Sequence, residues 1–324
     1  VSFNVLITAR TIDNEAISLL ENAGMSLHFL STSDQHAEMR NLLKTQPINA
    51  ILSRTLTLSA DLLKLNPDLK IIARHGVGFD NVDIETATSL GIPVVNTPGT
   101  NAQSVAELVF GLLLSCARNL ANSTQEVKQL IWDRQNQGLE LQGKTLGLVG
   151  FGRIAQKVAN IAKGFGMEVI AYDPYCKNTD FQLCPTLESL LEQSDVVSLH
   201  CPAKEDGTPL LSSTEFSWMK KSAVLINTAR GSLIDESALS ASLNNGHIKA
   251  VGLDTLSSEP PAENNPLLKH QNIVFSPHIG GNTDNSLRQT ATSAAKQIID
   301  YLTKNHIDTD CLVNPLFKVH QTHE

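Results

Sequence analysis

Short runs of branched and aliphatic residues recur along the chain, and between them the apolar positions fall at helical spacing. The runs at 5–8, 27–30, 50–53, 71–73 and 94–96 predict strands, and stretches such as 13–23 predict the helices that join them. That alternation describes a small doubly wound α/β unit, since strands connected through helices lie parallel and are buried on both faces. A long helical pattern then begins near Ala102, where Val105, Leu108, Val109, Leu112 and Leu113 put apolar side chains on more than one face. Such a helix must be covered widely, either between two domains or in part against a second subunit. The polar stretch 135–143 predicts a loop, and from Lys144 a second alternation runs to about Pro277. Leu287, Ala291, Ala294, Ile298 and Leu302, at spacings of four and three, predict an amphipathic helix that returns to the first domain. The expected organisation is one domain from 1–100 with 283–324 and an inserted domain over 101–282, with the residues after Pro315 loosely held.

Three apolar runs of the second alternation, Val224-Leu225-Ile226, Val251-Gly252-Leu253 and Ile273-Val274-Phe275, are followed by Arg230, Glu259 and His278. In parallel sheets ligands bind beyond the carboxyl ends of the strands, so these side chains are expected to converge on one cleft. An arginine holds a carboxylate with a bidentate fork, a histidine moves a proton near neutral pH, and a glutamate orients that histidine. The second domain also opens on Leu146-Gly147-Leu148-Val149 followed by Gly150-Phe151-Gly152-Arg153-Ile154-Ala155, a GxGxxA turn between a strand and a helix. Glycines there permit close approach of a pyrophosphate to a helix N-terminus. The next strand ends at Asp173, about 20 residues on, where a carboxylate accepts bonds from ribose hydroxyls and repels the extra phosphate of NADP. NAD is therefore the expected cofactor, with the nearby Lys177 the one feature against it.

Length and charge are consistent with this reading. At 324 residues the chain exceeds one ordinary core, and 41% hydrophobic with 18% charged residues suits a folded protein. A net charge of -8 without a polybasic run argues against a nucleic-acid groove. Five cysteines, Cys116, Cys176, Cys184, Cys201 and Cys311, form an odd set without a CxxC pair and read as reduced thiols. The start reads as a first strand rather than a signal sequence, and no apolar run reaches the roughly 18 residues of a membrane span. A cytoplasmic protein is expected, with no metal, nucleic-acid or membrane partner.

These motifs resemble the D-isomer-specific 2-hydroxyacid dehydrogenase family over almost the whole chain. The resemblance is carried by Arg74-His75-Gly76-Val77-Gly78-Phe79-Asp80-Asn81-Val82-Asp83, Asn96-Thr97-Pro98-Gly99-Thr100-Asn101, the Gly150 to Ala155 turn, His200-Cys201-Pro202, Asn227-Thr228-Ala229-Arg230-Gly231, Asp254 with Glu259-Pro260, and Pro277-His278-Ile279-Gly280-Gly281. It implies a flavodoxin-like substrate domain, a Rossmann NAD-binding domain, a cleft between them and a homodimer. It also implies hydride transfer between NAD and a D-2-hydroxy acid or 2-oxo acid. The family's catalytic residues match Arg230, Glu259 and His278. Its cofactor contacts match Gly150, Gly152, Arg153, Ile154, Asp173, Pro202, Thr228, Asp254 and His278, and Asp254 has the alternative of merely capping the next segment.

For the substrate, backbone N–H groups of His75, Gly76, Val77 and Gly78 are expected to join Arg230 and His278, because glycines let the main chain approach an anion. The His75 imidazole either shapes substrate choice or faces solvent, and His200 reads as structural rather than as a second acid. Arg54 and Arg74 follow two strands of the first domain and either bind a phosphate or form salt bridges at an interface. Arg134 resembles a position that reaches the partner subunit's site in some relatives. The expected substrates are 3-phosphoglycerate with phosphohydroxypyruvate, or hydroxypyruvate and glyoxylate. A nucleotide-sensing corepressor and a phosphite dehydrogenase are the alternatives. The chain's end leaves no room for a C-terminal regulatory domain, so feedback by serine through one is not expected.

Overall fold

Alternate side chains of each strand enter opposite cores, which is how a parallel sheet comes to be covered on both faces. The computed structural model describes residues 2–135, 137–204 and 206–320. Contacts separate the chain into two units, Val1–Asn101 with Gly281–Glu324, and Ala102–Gly280.

In the first unit, β1 (Asn4–Ile7), β2 (Ser26–Phe29), β3 (Ile48–Ser53), β4 (Ile71–Arg74) and β5 (Val94–Val95) lie parallel in the order β2-β1-β3-β4-β5. Val5, Ile7, Ala50 and Leu52 pack with Leu20 of the helix Asn14–Asn22 and with Ala291, Ala294 and Ile298 of the helix Asp284–Lys304. Leu6, Ile51 and Ile72 face the other way, onto Met39 and Leu43 of the helix Gln35–Thr45. Side-chain caps fix where these helices begin: Asp13 accepts from the Glu15 N–H, Asp34 from Ala37 and Thr283 from Ser286. The strand order reverses between β1 and β3, and there the Thr8 hydroxyl accepts the Arg54 N–H at 2.8 Å.

The sequence predicts loose residues after Pro315, and the structure corrects this. Pro315–His320 winds into a 3-10 helix with Phe317 buried. Asn314 fixes its start, accepting the Val94 N–H at 2.7 Å and donating to the Ile92 carbonyl and the Thr88 hydroxyl, both at 3.0 Å. Residues 321–324 lie outside the described residues.

In the second unit, β6 (Thr145–Val149), β7 (Glu168–Tyr172), β8 (Gln182–Leu183), β9 (Val196–Leu199), β10 (Ala223–Asn227), β11 (Ile248–Leu253) and β12 (Ile273–Phe275) lie parallel in the order β12-β11-β10-β9-β6-β7-β8. Leu146, Leu148, Val224 and Ile226 pack on Val109 and Leu113 of the helix Ala102–Arg118 and on Ala155 and Val158 of the helix Arg153–Gly164. Val197, Leu199, Leu225 and Leu253 enter the opposite core with Leu190, Phe216 and Leu239. The helix Ala102–Arg118 lies so close to the sheet that a Cβ on Gly252 would sit 2.8 Å from the Leu112 Cβ. It stops where Asn119 takes a left-handed φ of 52°, a break the apolar pattern did not signal. The helix Leu120–Lys128 follows, and the described residues from 129 to 144 form no helix or strand. No single helix among the described residues is long and apolar enough to cross a membrane; the bent pair Ala102–Arg118 and Leu120–Lys128 passes on length and composition alone.

Candidate active site

Strand order decides which chemistry meets at the carboxyl edge of the seven-stranded sheet. The glycine turn follows β6, Asp173 follows β7, His200 and Pro202 follow β9, Thr228 and Arg230 follow β10, Asp254 and Glu259 follow β11, and His278 follows β12. The sheet reverses its order between β6 and β9, and Gly150 sits in that crevice with φ 87°. Its N–H donates to the Tyr172 carbonyl at 2.8 Å, and a Cβ there would lie 2.8 Å from the His200 carbonyl and the Cys201 nitrogen. Only glycine fits.

Gly152 is different, because a Cβ there would meet nothing within 4 Å. The helix beginning with Arg153 and Ile154 has no side-chain cap, so the amides of its first turn and the positive end of its dipole are left for an anion. Asp173 accepts the Phe151 N–H at 2.8 Å through one oxygen and the Tyr175 and Cys176 N–H groups at 2.8 and 3.2 Å through the other. The carboxylate expected to read the ribose thus also holds the glycine turn, and a carboxylate's roughly four acceptor sites leave room for both. Thr228 Oγ1 is buried without a hydrogen-bond partner among the described residues. Open space over Gly152, an uncapped helix, an anchored acceptor and an orphaned hydroxyl together fit NAD. Pro202 lies exposed just beyond β9.

Beyond β10, Asn227 shapes the turn that carries Arg230, accepting the Ala229 N–H at 3.0 Å and donating to the Arg230 carbonyl at 2.8 Å. One guanidinium nitrogen of Arg230 donates to the Ala229 carbonyl at 2.8 Å. His278 has a left-handed φ of 52°, a conformation a non-glycine residue adopts only when its surroundings impose it. Those surroundings come from Asp254, which is buried. Its carbonyl accepts the His278 N–H at 2.9 Å, and its carboxylate accepts the Ser276 hydroxyl at 2.5 Å and the Ile279 and Gly280 N–H groups at 2.9 and 2.8 Å. Asp254 thus caps the turn that follows β12. Ser276, which the sequence reading did not single out, completes the cap.

His278 Nδ1 lies 2.6 Å from Glu259 Oε2, and Glu259 Oε1 accepts the Leu256 N–H at 3.1 Å. A hydrogen bond to a carboxylate places the proton on Nδ1, so Nε2 is the atom left to exchange a proton. Both side chains are more than a third exposed, so the pair matters for orientation rather than for stability.

His200 is placed for structure. Its Nε2 is 2.9 Å from the Ser198 hydroxyl, and burial lowers its pKa from 6.5 to about 3. The folded ring stays neutral while the unfolded chain takes up a proton below pH 6.5, so stability is lost as pH falls from 6.5 toward 3. Full burial would make this about 1.4 kcal/mol per pH unit, and residual solvent contact makes it less. We expect the thermal midpoint to fall between pH 7.5 and 5, and to fall less steeply in His200→Gln; parallel curves would contradict this assignment.

In the first unit, the loop 75–78 turns its carbonyls away and leaves its amides. The Gly76 carbonyl accepts the Thr97 N–H at 3.1 Å, that of Val77 the Asn96 side chain at 2.8 Å, and that of Gly78 the Arg74 Nε at 2.8 Å. The N–H groups of Gly76, Val77 and Gly78 have no acceptor among the described residues, the arrangement of an anion-binding nest. His75 departs from expectation, since its N–H donates to the Ser53 carbonyl at 2.8 Å and is not free for substrate. Its imidazole is half-buried, and burial followed by the nearby Arg54 charge lowers its pKa to about 4, so it is neutral near pH 7.

The two arginines also part company. Besides Gly78, Arg74 donates to the Ser53 carbonyl at 2.7 Å and to the Arg54 carbonyl, which makes it the brace of the loop. The Arg54 guanidinium makes no hydrogen bond or ion pair among the described residues. Asn96 and Thr97 lay inside a motif already noted, but only the structure gives them this supporting role.

Residues 110–280 match the family model described as D-isomer specific 2-hydroxyacid dehydrogenase, NAD binding domain. The chain is 40% identical over 297 residues to a hydroxypyruvate reductase of Thermotoga maritima, covering 90% of this chain and 96% of that one. It is 38% identical over 293 residues to a D-3-phosphoglycerate dehydrogenase of Methanocaldococcus jannaschii, covering 89% of this chain and 55% of that one. It thus spans about half the length of that relative. Among solved structures, a glyoxylate reductase from Paecilomyes thermophila superposes with a TM-score of 0.85 at 25% identity, covering 96% of this chain and 98% of that one.

Proposed function

The chain belongs to the D-isomer-specific 2-hydroxyacid dehydrogenases, NAD-dependent oxidoreductases, and on that premise we propose that it reduces a short, unphosphorylated 2-oxo acid such as hydroxypyruvate or glyoxylate. The reading rests on the 2.6 Å pair of His278 with Glu259, which leaves one imidazole nitrogen for proton delivery. NAD(H), when bound, supplies or accepts the hydride. In the reducing direction His278 Nε2 gives its proton to the carbonyl oxygen of the substrate, while Glu259 holds the ring and stabilises the charge it carries. Arg230 pairs with the substrate carboxylate and stabilises the charge that develops on the oxygen. Asp254 acts through the backbone of His278.

The choice of an unphosphorylated acid is supported by Arg74, which donates to the Gly78, Ser53 and Arg54 carbonyls and so is committed to bracing its own loop. We expect kcat/KM for hydroxypyruvate to exceed that for 3-phosphohydroxypyruvate at least about tenfold, which corresponds to about 1.4 kcal/mol. Arg74→Ala should lower both by a similar factor, roughly tenfold to a hundredfold, because it releases the loop rather than a phosphate. A wild-type preference for the phosphorylated acid, lost selectively in Arg74→Ala, would return the phosphate reading.

The same proposal makes the protein a cytoplasmic homodimer. Five cysteines that form no disulfide among the described residues suit a reducing compartment. Leu130, Ile131 and Trp132 stand exposed in the segment that also holds the exposed Arg134, an apolar stretch suited to a second subunit.

A further inference from the structure

We propose that Glu236 is a positioning residue for Glu259, clasping the two ends of the loop that presents it. The inference rests on the reading that Glu259 orients His278. After β11 the chain runs from Asp254 to Asn265 without helix or strand, and residues 257–260 are all exposed. Little apolar burial is available to fix a carboxylate there, yet its partner ring must be met at hydrogen-bond distance.

Glu236 supplies what packing does not. It is the first residue of the helix Glu236–Asn244, which begins a few residues beyond Arg230. One of its carboxylate oxygens accepts the Ser257 N–H at 2.9 Å, and the other accepts the Asn265 side-chain N–H at 2.7 Å. Asn265 is buried, and its own oxygen accepts the Leu267 N–H at 2.9 Å, so the far end of the loop is anchored to the next 3-10 turn. Gly231 grips the same place from the other side, since any side chain on it would overlap the Leu256 carbonyl and the Ser257 nitrogen. The Leu256–Ser257 peptide is therefore held between Gly231 and Glu236, and the Leu256 N–H in turn holds Glu259. Through these contacts the segment beginning at Arg230 and the loop bearing Glu259 move as one piece.

A glutamate at this helix position also favours the helix dipole, so the test must separate the two roles. kcat for hydroxypyruvate reduction should be measured for Glu236→Ala, Glu259→Ala and the double variant, with KM for NADH alongside. Glu236→Ala is expected to lower kcat roughly tenfold to a hundredfold with KM for NADH unchanged. In the Glu259→Ala background the same change should lower kcat by less than about twofold, because residues acting through one another are not additive. Glu236→Gln retains one of the two bonds and should fall between; it carries the same cycle if Glu236→Ala does not fold. Equal losses in both backgrounds, or no loss in the wild-type background while Glu259→Ala is impaired, would overturn the clasp. Near-normal kcat in Glu259→Ala alone would overturn instead the parent reading of the His278 pair.

Discussion

Replacing His278 by alanine is expected to lower kcat by roughly two to four orders of magnitude, the usual contribution of a positioned general acid. Asp254 and Ser276 fix the turn that gives His278 its left-handed φ, and this aims the ring at Glu259. With Nδ1 held by the carboxylate, proton delivery rests on Nε2 alone. Alanine removes that atom while leaving the buried Asp254 cap in place, because the cap takes only a main-chain N–H from residue 278, and its other donors are the Ser276 hydroxyl and the Ile279 and Gly280 N–H groups. KM for NADH should therefore stay within about twofold, a loss in turnover rather than in binding. Steady-state kinetics with hydroxypyruvate checks this, and a kcat within about threefold of wild type would remove His278 from the acid role.

The second large effect comes from a residue that touches no substrate. Gly231→Ala is expected to lower stability by about 3 kcal/mol and kcat/KM by about a hundredfold or more. Its φ is ordinary for any residue, so the demand is one of space alone. A methyl group there meets the Leu256 carbonyl and the Ser257 nitrogen, which are backbone atoms and cannot rotate away as a side chain would. Relief requires the Arg230 turn and the Glu259 loop to separate. That displaces Arg230 from Glu259 and His278, so stability and activity fall together. Thermal melts and NADH oxidation on the same preparation test this; a wild-type melt with wild-type turnover would show that the two loops are not in contact in solution.

Much of this arrangement was legible in the sequence, for physical reasons. Apolar runs bounded by helical spacing become parallel strands because both faces must be buried, so β6, β7 and β10 through β12 could be placed from the pattern alone. The glycine turn was legible because a positive φ and a clash with His200 leave only glycine at position 150. Other features were hidden because they depend on hydrogen bonds between distant segments. Nothing in the pattern tells that Arg74 turns back onto Ser53, Arg54 and Gly78, or that the His75 amide is taken by Ser53. The three-residue spacing between Asp254 and Ser257 likewise gives no hint that Glu236 reaches across to hold that turn. The short strand Gln182–Leu183 and the break at Asn119 escaped because two paired residues, or one left-handed residue, leave no periodic trace.

The most direct test of the central claim is NADH oxidation by the purified protein with hydroxypyruvate and glyoxylate, together with the chirality of the acid formed from hydroxypyruvate. Saturable turnover that yields the D-2-hydroxy acid, and that falls by about a hundredfold or more in His278→Ala, is the predicted result. NADH binding without turnover on either acid, or formation of the L-isomer, would contradict it.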